Sequence, residues 1–462
     1  MTVIQVFIGL IGLGIIVFVH ELGHFIAAKA CGIDVEVFSL GWGKKLIGFE
    51  RGGTTYQISW FLIGGYCKMK GEMPRGEMSD DEMDRLRHEP GAFLAATPWQ
   101  RMLVGAAGPV SNMIFAVVVL TLIWWIGFNV PSAENRIILA SDYSLDASTG
   151  PLPAARAGLE TGDRIVGTTE RSIDSFWKLS EIVHRNAGNS LTFLVERPEE
   201  GGGGVRTLQV EITPEPDPRT GQGRIGVYGW IDPVIGRVEP GKPAERAGLQ
   251  AGDVIVGAGG RTIPHQIAFY EILWNRPQSV ELEYRRGKEL RSTTLDLEYG
   301  RRGNPDPGFI FHRPVFRTPG MNAVQALGKG LERSVEILTL TARGLWQLVR
   351  LRVDRLEEVV AGPIRITKMV GEAATGGFSF GLEEGFISFF QFLCLLSIVI
   401  AAMNLLPIPA LDGGLIVLSF VEAVRQRPLK LKVIYRFQVV GFAIVFLIII
   451  AALLSDILFF VG

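Results

Sequence analysis

The sequence predicts a polytopic α-helical membrane protein with four transmembrane helices, a membrane-associated β-hairpin and two tandem small α+β domains. Three observations predict it. Four apolar runs, about residues 3 to 28, 103 to 128, 386 to 406 and 437 to 460, are each long enough to cross a bilayer. A long polar stretch separates the second run from the third, although 48% of the chain is hydrophobic. That polar middle contains one segment twice. A formal net charge of -1 over 462 residues gives no reason to expect nucleic acid as a partner; the lipid bilayer is the partner the runs require. Cys31, Cys67 and Cys394 leave no cysteine between residues 105 and 390, so the middle must stand on its apolar core.

The N-terminal membrane part, 1–128, opens with the first run. It lacks a basic start, is too long for a signal peptide and is expected to stay. Within it residues 16–28 read IVFVHELGHFIAA. An ionisable group in hydrocarbon needs a partner or a wet cavity. His20 and His24 are four apart and share one helical face, with Glu21 leaning toward it. This is H-E-x-x-H, in which two histidines bind zinc and the glutamate is the general base. A pair of helix-interface histidines is the plainer alternative. Two histidines also leave a catalytic zinc site short of a third ligand.

Residues 46–69, LIGFERGGTTYQISWFLIGGYCKM, alternate around Gly52-Gly53 and place Tyr56, Ile58 and Trp60 on one side of a hairpin. A re-entrant hairpin lining a cavity fits the apolar content, and a cytoplasmic hairpin is the alternative. The second run carries GPVSN at 108–112, whose Asn112 is a polar group suited to interhelical hydrogen bonding.

In the middle, PAARAGLETGDRIVG at 153–167 recurs as PAERAGLQAGDVIVG at 243–257, identical at eleven of fifteen positions. Two copies suggest tandem domains, here 129–222 and 223–312. Each copy reads as a short helix closed by Gly158 or Gly248, a Gly-Asp turn, then a strand. The strands SLTFLVER and SVELEYRR follow, and RPEEGGGGVR is a hairpin or flexible connection. The pattern A-G-L-x-x-G-D-x-I resembles PDZ domains, which makes the pair PDZ-like.

Segment 313–380 has apolar positions at Val324, Leu327, Leu331, Val335, Leu338, Leu345, Leu348 and Leu356, with Arg333, Arg343, Arg350 and Arg352 breaking any spanning reading. The expectation is an amphipathic helix on the membrane or against the soluble domains. The C-terminal membrane part, 381–462, contains NLLPIPALDGGLIV at 404–417. Pro407 and Pro409 break a helix before Asp412, which either completes a zinc site with His20 and His24 or caps the next helix. Arg425, Arg427, Lys430, Lys432 and Arg436 make the last loop cytoplasmic. Counting back, 29–102 is inside, and 130–385 and both termini are outside, in a bacterium the periplasm.

Together H-E-L-G-H, G-P-V-S-N and N-L-L-P-I-P-A-L-D-G resemble the three motifs of the site-2 protease family of intramembrane zinc metalloproteases, with no departure at any motif position. The resemblance covers essentially the whole chain. It implies zinc and a bacterial inner-membrane enzyme of envelope stress signalling. Its substrate would be a single-span membrane protein, of the anti-sigma factor type, already trimmed in the periplasm. It further implies that Asn404 holds the substrate backbone and that the hairpin engages it as an added strand, with Asn112, Tyr56, Ile58 and Trp60 as further substrate-side candidates. The PDZ-like pair then acts as a size-exclusion filter or captures the new C-terminus of the substrate. A membrane metal-binding protein without proteolytic activity is the rival class.

Overall fold

In the computed structural model, residues 3–72, 80–143, 152–199, 204–218, 220–300, 303–349, 362–378 and 380–461 are described. The chain forms two units, 1–128 with 319–462 and, inserted between them, 129–318.

The first apolar run is helix α1, Val3–Ala30. Its buried face includes Gly9, Gly12, Ile16, His20, Gly23 and His24, a stripe three or four residues apart that lets neighbours come close. Strands β1, Val35–Arg51, and β2, Thr54–Met69, follow as the expected hairpin around Gly52 and Gly53, which take φ of 58° and 73°. The hairpin starts earlier than its alternation suggested and folds back on itself. Phe38 lies opposite both Tyr56 and Cys67, and Tyr56 lies opposite both Phe38 and Phe49. Residues 55–58 are therefore flanked on both sides, whereas 65–69 pair on one side only.

After α2, Asp80–His88, the second run is α3, Pro98–Ile126. It begins five residues before the apolar run because Thr97 and Gln100 form a reciprocal capping box with Pro98 at the first turn.

In the inserted unit the repeat appears as helix α4, Pro153–Arg156, then α5, Phe176–Arg185, and their counterparts α6, Pro243–Arg246, and α7, Gln266–Trp274. The short helices end at Gly158 and Gly248, with φ of 80° and 74°. The Gly-Asp turn has a further purpose in both copies. Buried Asp163 accepts two 2.7 Å hydrogen bonds from Arg197, and Asp253 accepts the same pair from Arg286. Each arginine also donates to the carbonyl of the helix-ending glycine, at 2.8 Å. The signature is thus an arginine-locked turn fixed to the strands 191–198 and 279–286.

The expected boundary at 222/223 is displaced. Val227–Gly229 pairs with Ile137–Leu139, and Ile225 is buried in the first repeat's core, so the chain leaves that repeat only after residue 229. A returning strand with few apolar residues gave the sequence no reason to assign it backwards. Ala133 likewise belongs to the core of the second repeat.

The membrane unit resumes with α8, Ala323–Val349, α9, Pro363–Phe378, α10, Leu382–Asn404, α11, Asp412–Arg425, and α12, Leu431–Val461. Among the described residues four helices, α1, α3, α10 and α12, are long and apolar enough to cross a membrane. The amphipathic helix α8 packs against α3 and α10. Ala326, Gly330 and Ser334 form its close-approach face: a Cβ at Gly330 would collide with Thr121 of α3. Val324, Leu327, Leu331 and Val335 remain exposed. Arg350, Arg352 and Leu356 of the expected segment lie outside the described residues. Helix α9 lies against α1 and α10. Its N-terminus is capped by the fully buried Asp456 of α12, which accepts from the backbone N–H groups of Gly362, Ile364 and Arg365 at 2.9, 3.0 and 3.3 Å.

Candidate metal centre

One turn of α1 separates His20 from His24, and their Nε2 atoms are 3.2 Å apart. Helix α3 orients both rings. His24 Nδ1 donates to the Val104 carbonyl at 2.8 Å, so its Nε2 presents a lone pair. His20 Nδ1 lies 3.3 Å from the side-chain amide of Asn112, a residue with no solvent exposure. Turning that amide places Oδ1, otherwise without a partner, as acceptor from Nδ1–H. His20 Nε2 then presents a second lone pair on the side of His24 and Asp412.

Asp412 supplies the third group. Helix α10 ends at Asn404, Pro407 and Pro409 forbid its continuation, and Ala410 takes φ of 75°, a strained value for a residue with a side chain. Gly413 and Gly414 let the new helix press on the carbonyls of residues 405–408, where any Cβ would collide. Asp412 is the first residue of α11, and the helix has no side-chain N-cap, so the capping alternative is not used. Its carboxylate points at the histidines instead: Oδ2 is 3.1 Å from His20 Nε2 and Oδ1 is 3.4 Å from His24 Nε2.

With these tautomers three acceptors converge with no proton between them, and buried Asp412 Oδ2 has no hydrogen-bond partner. Such an arrangement suits a cation. Two ligands on a tetrahedral zinc, each at about 2.0–2.1 Å, stand roughly 3.3–3.4 Å apart. The spacings here, 3.1, 3.2 and 3.4 Å, fit that separation, and among the described residues His20, His24 and Asp412 are the one such group. Gly108 of the GPVSN stretch adds a steric requirement: a Cβ there would strike both imidazoles.

Glu21 stands beside His20, His24 and Asp412, and the Cys67 backbone hydrogen-bonds its carboxylate. Gly65 is as close: a Cβ there would lie 3.4 Å from Glu21 Cγ. The edge of β2 without a strand partner therefore runs past the general-base candidate, and along it Glu21 is bonded by the Cys67 backbone and Glu72 accepts from Met69 N–H at 3.3 Å. Asn404 reaches the site from the end of α10, its amide 3.4 Å from His20 Nε2.

Tyr56, Ile58 and Trp60 are not brought to the site. Tyr56 is packed among Phe25, Phe38 and Phe49, and its strand is flanked on both sides, so its backbone has no edge to offer. Ile58 and Trp60 are exposed with Trp42, Leu46, Ile47, Phe49 and Phe61, an apolar surface on the outer hairpin. Sequence reasoning missed Val104, Gly108 and the Gly65–Cys67 edge. Of these only Gly108, inside a motif, carried a signal.

In the inserted unit, a separate cavity of about 350 Å³ lies between α5 and the strand 223–229, lined by Leu152, Phe176, Leu179, Val183, Ile225 and Val227.

Residues 8–448 match the family described as Peptidase family M50. A relative from Treponema pallidum that carries a zinc-metalloprotease name is 35% identical over 99% of both chains. The regulator of sigma-E protease RseP of Escherichia coli is 30% identical over 92% of both. Among solved structures, the PDZ domain of an SdrC-like protein from Listeria monocytogenes covers 17% of this chain and 87% of its own, at 21% identity and a TM-score of 0.16.

Proposed function

The chain belongs to peptidase family M50, the site-2 protease family, and from that premise we propose that it hydrolyses a peptide bond within the transmembrane segment of a single-span membrane protein, with Glu21 as general base and His20, His24 and Asp412 as zinc ligands. It is a multi-pass membrane metalloprotease. The observation that carries the finer reading is the convergence of three lone-pair atoms beside Glu21 and a strand edge without a strand partner.

A peptide bond in a transmembrane helix is shielded by its own hydrogen bonds and must be unwound first. The open edge of 65–69 replaces the lost backbone bonds by strand addition, which lays the scissile carbonyl against the site. This role moves from Tyr56, Ile58 and Trp60 to Gly65–Met69; the exposed aromatics of the outer hairpin suit contact with lipid. Asn404, at the rim, donates to the substrate backbone, and Asn112 orients His20 instead of touching substrate. Zinc held by His20, His24 and Asp412 would supply a Lewis acid for the scissile carbonyl and would lower the pKa of a bound water toward neutrality. The Glu21 carboxylate takes the proton of that water and returns it to the leaving amide nitrogen.

We assign the substrate to the anti-sigma factor type, in the bacterial inner membrane, with 129–318 in the periplasm. The RseP name of a relative and the basic loop after α11 support this. The inserted PDZ-like pair is read as a size filter that excludes untrimmed substrates. A second reading, capture of a new C-terminus, draws on the cavity beside α5. Trapping tests the proposal. A Glu21→Gln chain that retains bound substrate, identified by mass spectrometry as a single-span protein, supports it. Continued cleavage by Glu21→Gln refutes Glu21 as the base. Metal binding with no cleavage of any single-span protein by the wild type returns the chain to the class of non-proteolytic metal proteins.

A further inference from the structure

One cavity in the membrane unit touches the metal centre and has no part in the chemistry above. It measures about 190 Å³, is bounded by Asp412, and is walled by Met69, Leu415, Leu418, Phe437 and Phe442. Glu72 and Gln438 are the other polar side chains on its lining. Three elements meet there: the end of β2, the first turns of α11, and the cytoplasmic end of α12 as the charge pattern orients it.

Its position follows the strand that serves the site. A chain added along Gly65–Met69 passes Glu21 at Cys67 and arrives at the cavity at Met69, two residues further on. In an extended chain, side chains two apart point to the same face. Size fits as well. An apolar cavity of about 150 Å³ accepts a molecule of benzene, so this one holds a leucine, methionine or phenylalanine side chain. Met69, Leu415, Leu418, Phe437 and Phe442 give such a side chain apolar contact, while Asp412, Glu72 and Gln438 form the polar part of the lining.

We propose that this cavity is a specificity pocket of the protease, taking one large apolar side chain of the substrate from a residue about two positions from the scissile bond, on its cytoplasmic side. The proposal rests on the proteolytic reading above. It gives the enzyme a means of choosing a bond within a segment where nearly every residue is apolar and only size and shape differ. Pocket contacts of one or a few methylenes discriminate by about tenfold or somewhat more.

The test uses the full chain in lipid vesicles with a single-span substrate whose cleavage bond has been mapped by mass spectrometry. Gly, Ala, Leu, Phe and Trp are placed in turn at each of the three positions on either side of that bond. The expected result is a preference of about tenfold in kcat/KM for Leu or Phe over Gly at one cytoplasmic-side position. Phe442→Ala should extend that preference to Trp, and Phe442→Trp should abolish it. Gln438→Phe, one helical turn away on the same face, should also abolish it, which keeps the test open if one variant does not fold. Zinc content equal to wild type certifies each variant. Cleavage whose size preference ignores residues 438 and 442, or that has no preference, overturns the pocket and leaves the protease standing. No cleavage of any substrate by the wild type overturns the proteolytic reading and the pocket with it.

Discussion

At the scale of single residues, one backbone carbonyl, that of Val104, decides which nitrogen of His24 faces the site. No sequence pattern announces a carbonyl, which is why this half of the arrangement was illegible. The convergence of the three candidate groups was legible because lipid excludes such groups unless they find a partner: histidines four apart on an apolar helix, and a carboxylate after two prolines, are costly there alone. Tyr56, Ile58 and Trp60 were expected near the site and lie away from it, because alternation gives the face of a strand and says nothing about which edge lacks a partner. We predict one zinc per chain, lost together with activity in the His20→Ala, His24→Ala double variant. Elemental analysis should find it retained in Glu21→Gln, with cleavage reduced by about 10²-fold or more. Asn112→Ala leaves His20 without its orienting acceptor and should weaken zinc binding about 10- to 100-fold in a chelator competition. Unchanged affinity would mean that the imidazole is held by packing alone.

At the scale of elements, the helices most visible in the sequence were those whose environment is uniform. Lipid selects long apolar runs, and α1, α3, α10 and α12 follow them closely. Helix α8 was legible as amphipathic, but its partner was not, because Ala326, Gly330 and Ser334 read as weak polar positions until a second helix is seen against them. The cap of α9 by Asp456 joins residues 92 to 94 positions apart for its two shortest bonds, a separation no local signal spans. Asp456→Ala should leave three N–H groups without an acceptor and cost about 1–3 kcal/mol, read as a lower unfolding midpoint in detergent. In the inserted unit His265 caps α7, accepting from Ala268 N–H through Nδ1 at 3.2 Å, while its Nε2 meets the Tyr143 hydroxyl at 2.9 Å. Burial, then the nearby Arg136 charge, pushes its pKa from 6.5 down to about 4. The neutral ring is therefore favoured by folding. The stability it contributes is present above about pH 6.5 and is lost as the pH falls through about 4. The hydrogen-exchange protection of α7, taken relative to the intrinsic rate at each pH, should fall as the pH drops across that window, and His265→Asn, which keeps a capping acceptor without a titrating proton, should flatten the dependence.

At the scale of the whole molecule, chain order bears on how substrates are chosen. The HExxH helix and the Asp412 helix lie almost four hundred residues apart, and the insert 129–318 leaves and rejoins the membrane unit between them. A folded insert whose chain leaves the membrane unit after α3 and rejoins it at α8 cannot diffuse from the unit that carries the site, and this favours a filter over an independent module. Exclusion needs only size; capture needs a specific tail, for which the cavity beside α5 is the available site. The orientation underlying both is checked with a membrane-impermeant thiol reagent: Asn189→Cys should be labelled in intact cells and Arg427→Cys protected. Replacing 129–318 by a short linker then separates the two roles, provided that the shortened chain still binds zinc. Under exclusion it cuts untrimmed substrates that the full chain spares, and trimmed substrates at an undiminished rate. Under capture it loses trimmed substrates through a raised KM with kcat preserved, because binding energy spent on the tail is removed without touching the chemistry. We expect the first outcome, and a raised KM for trimmed substrate would reverse the assignment.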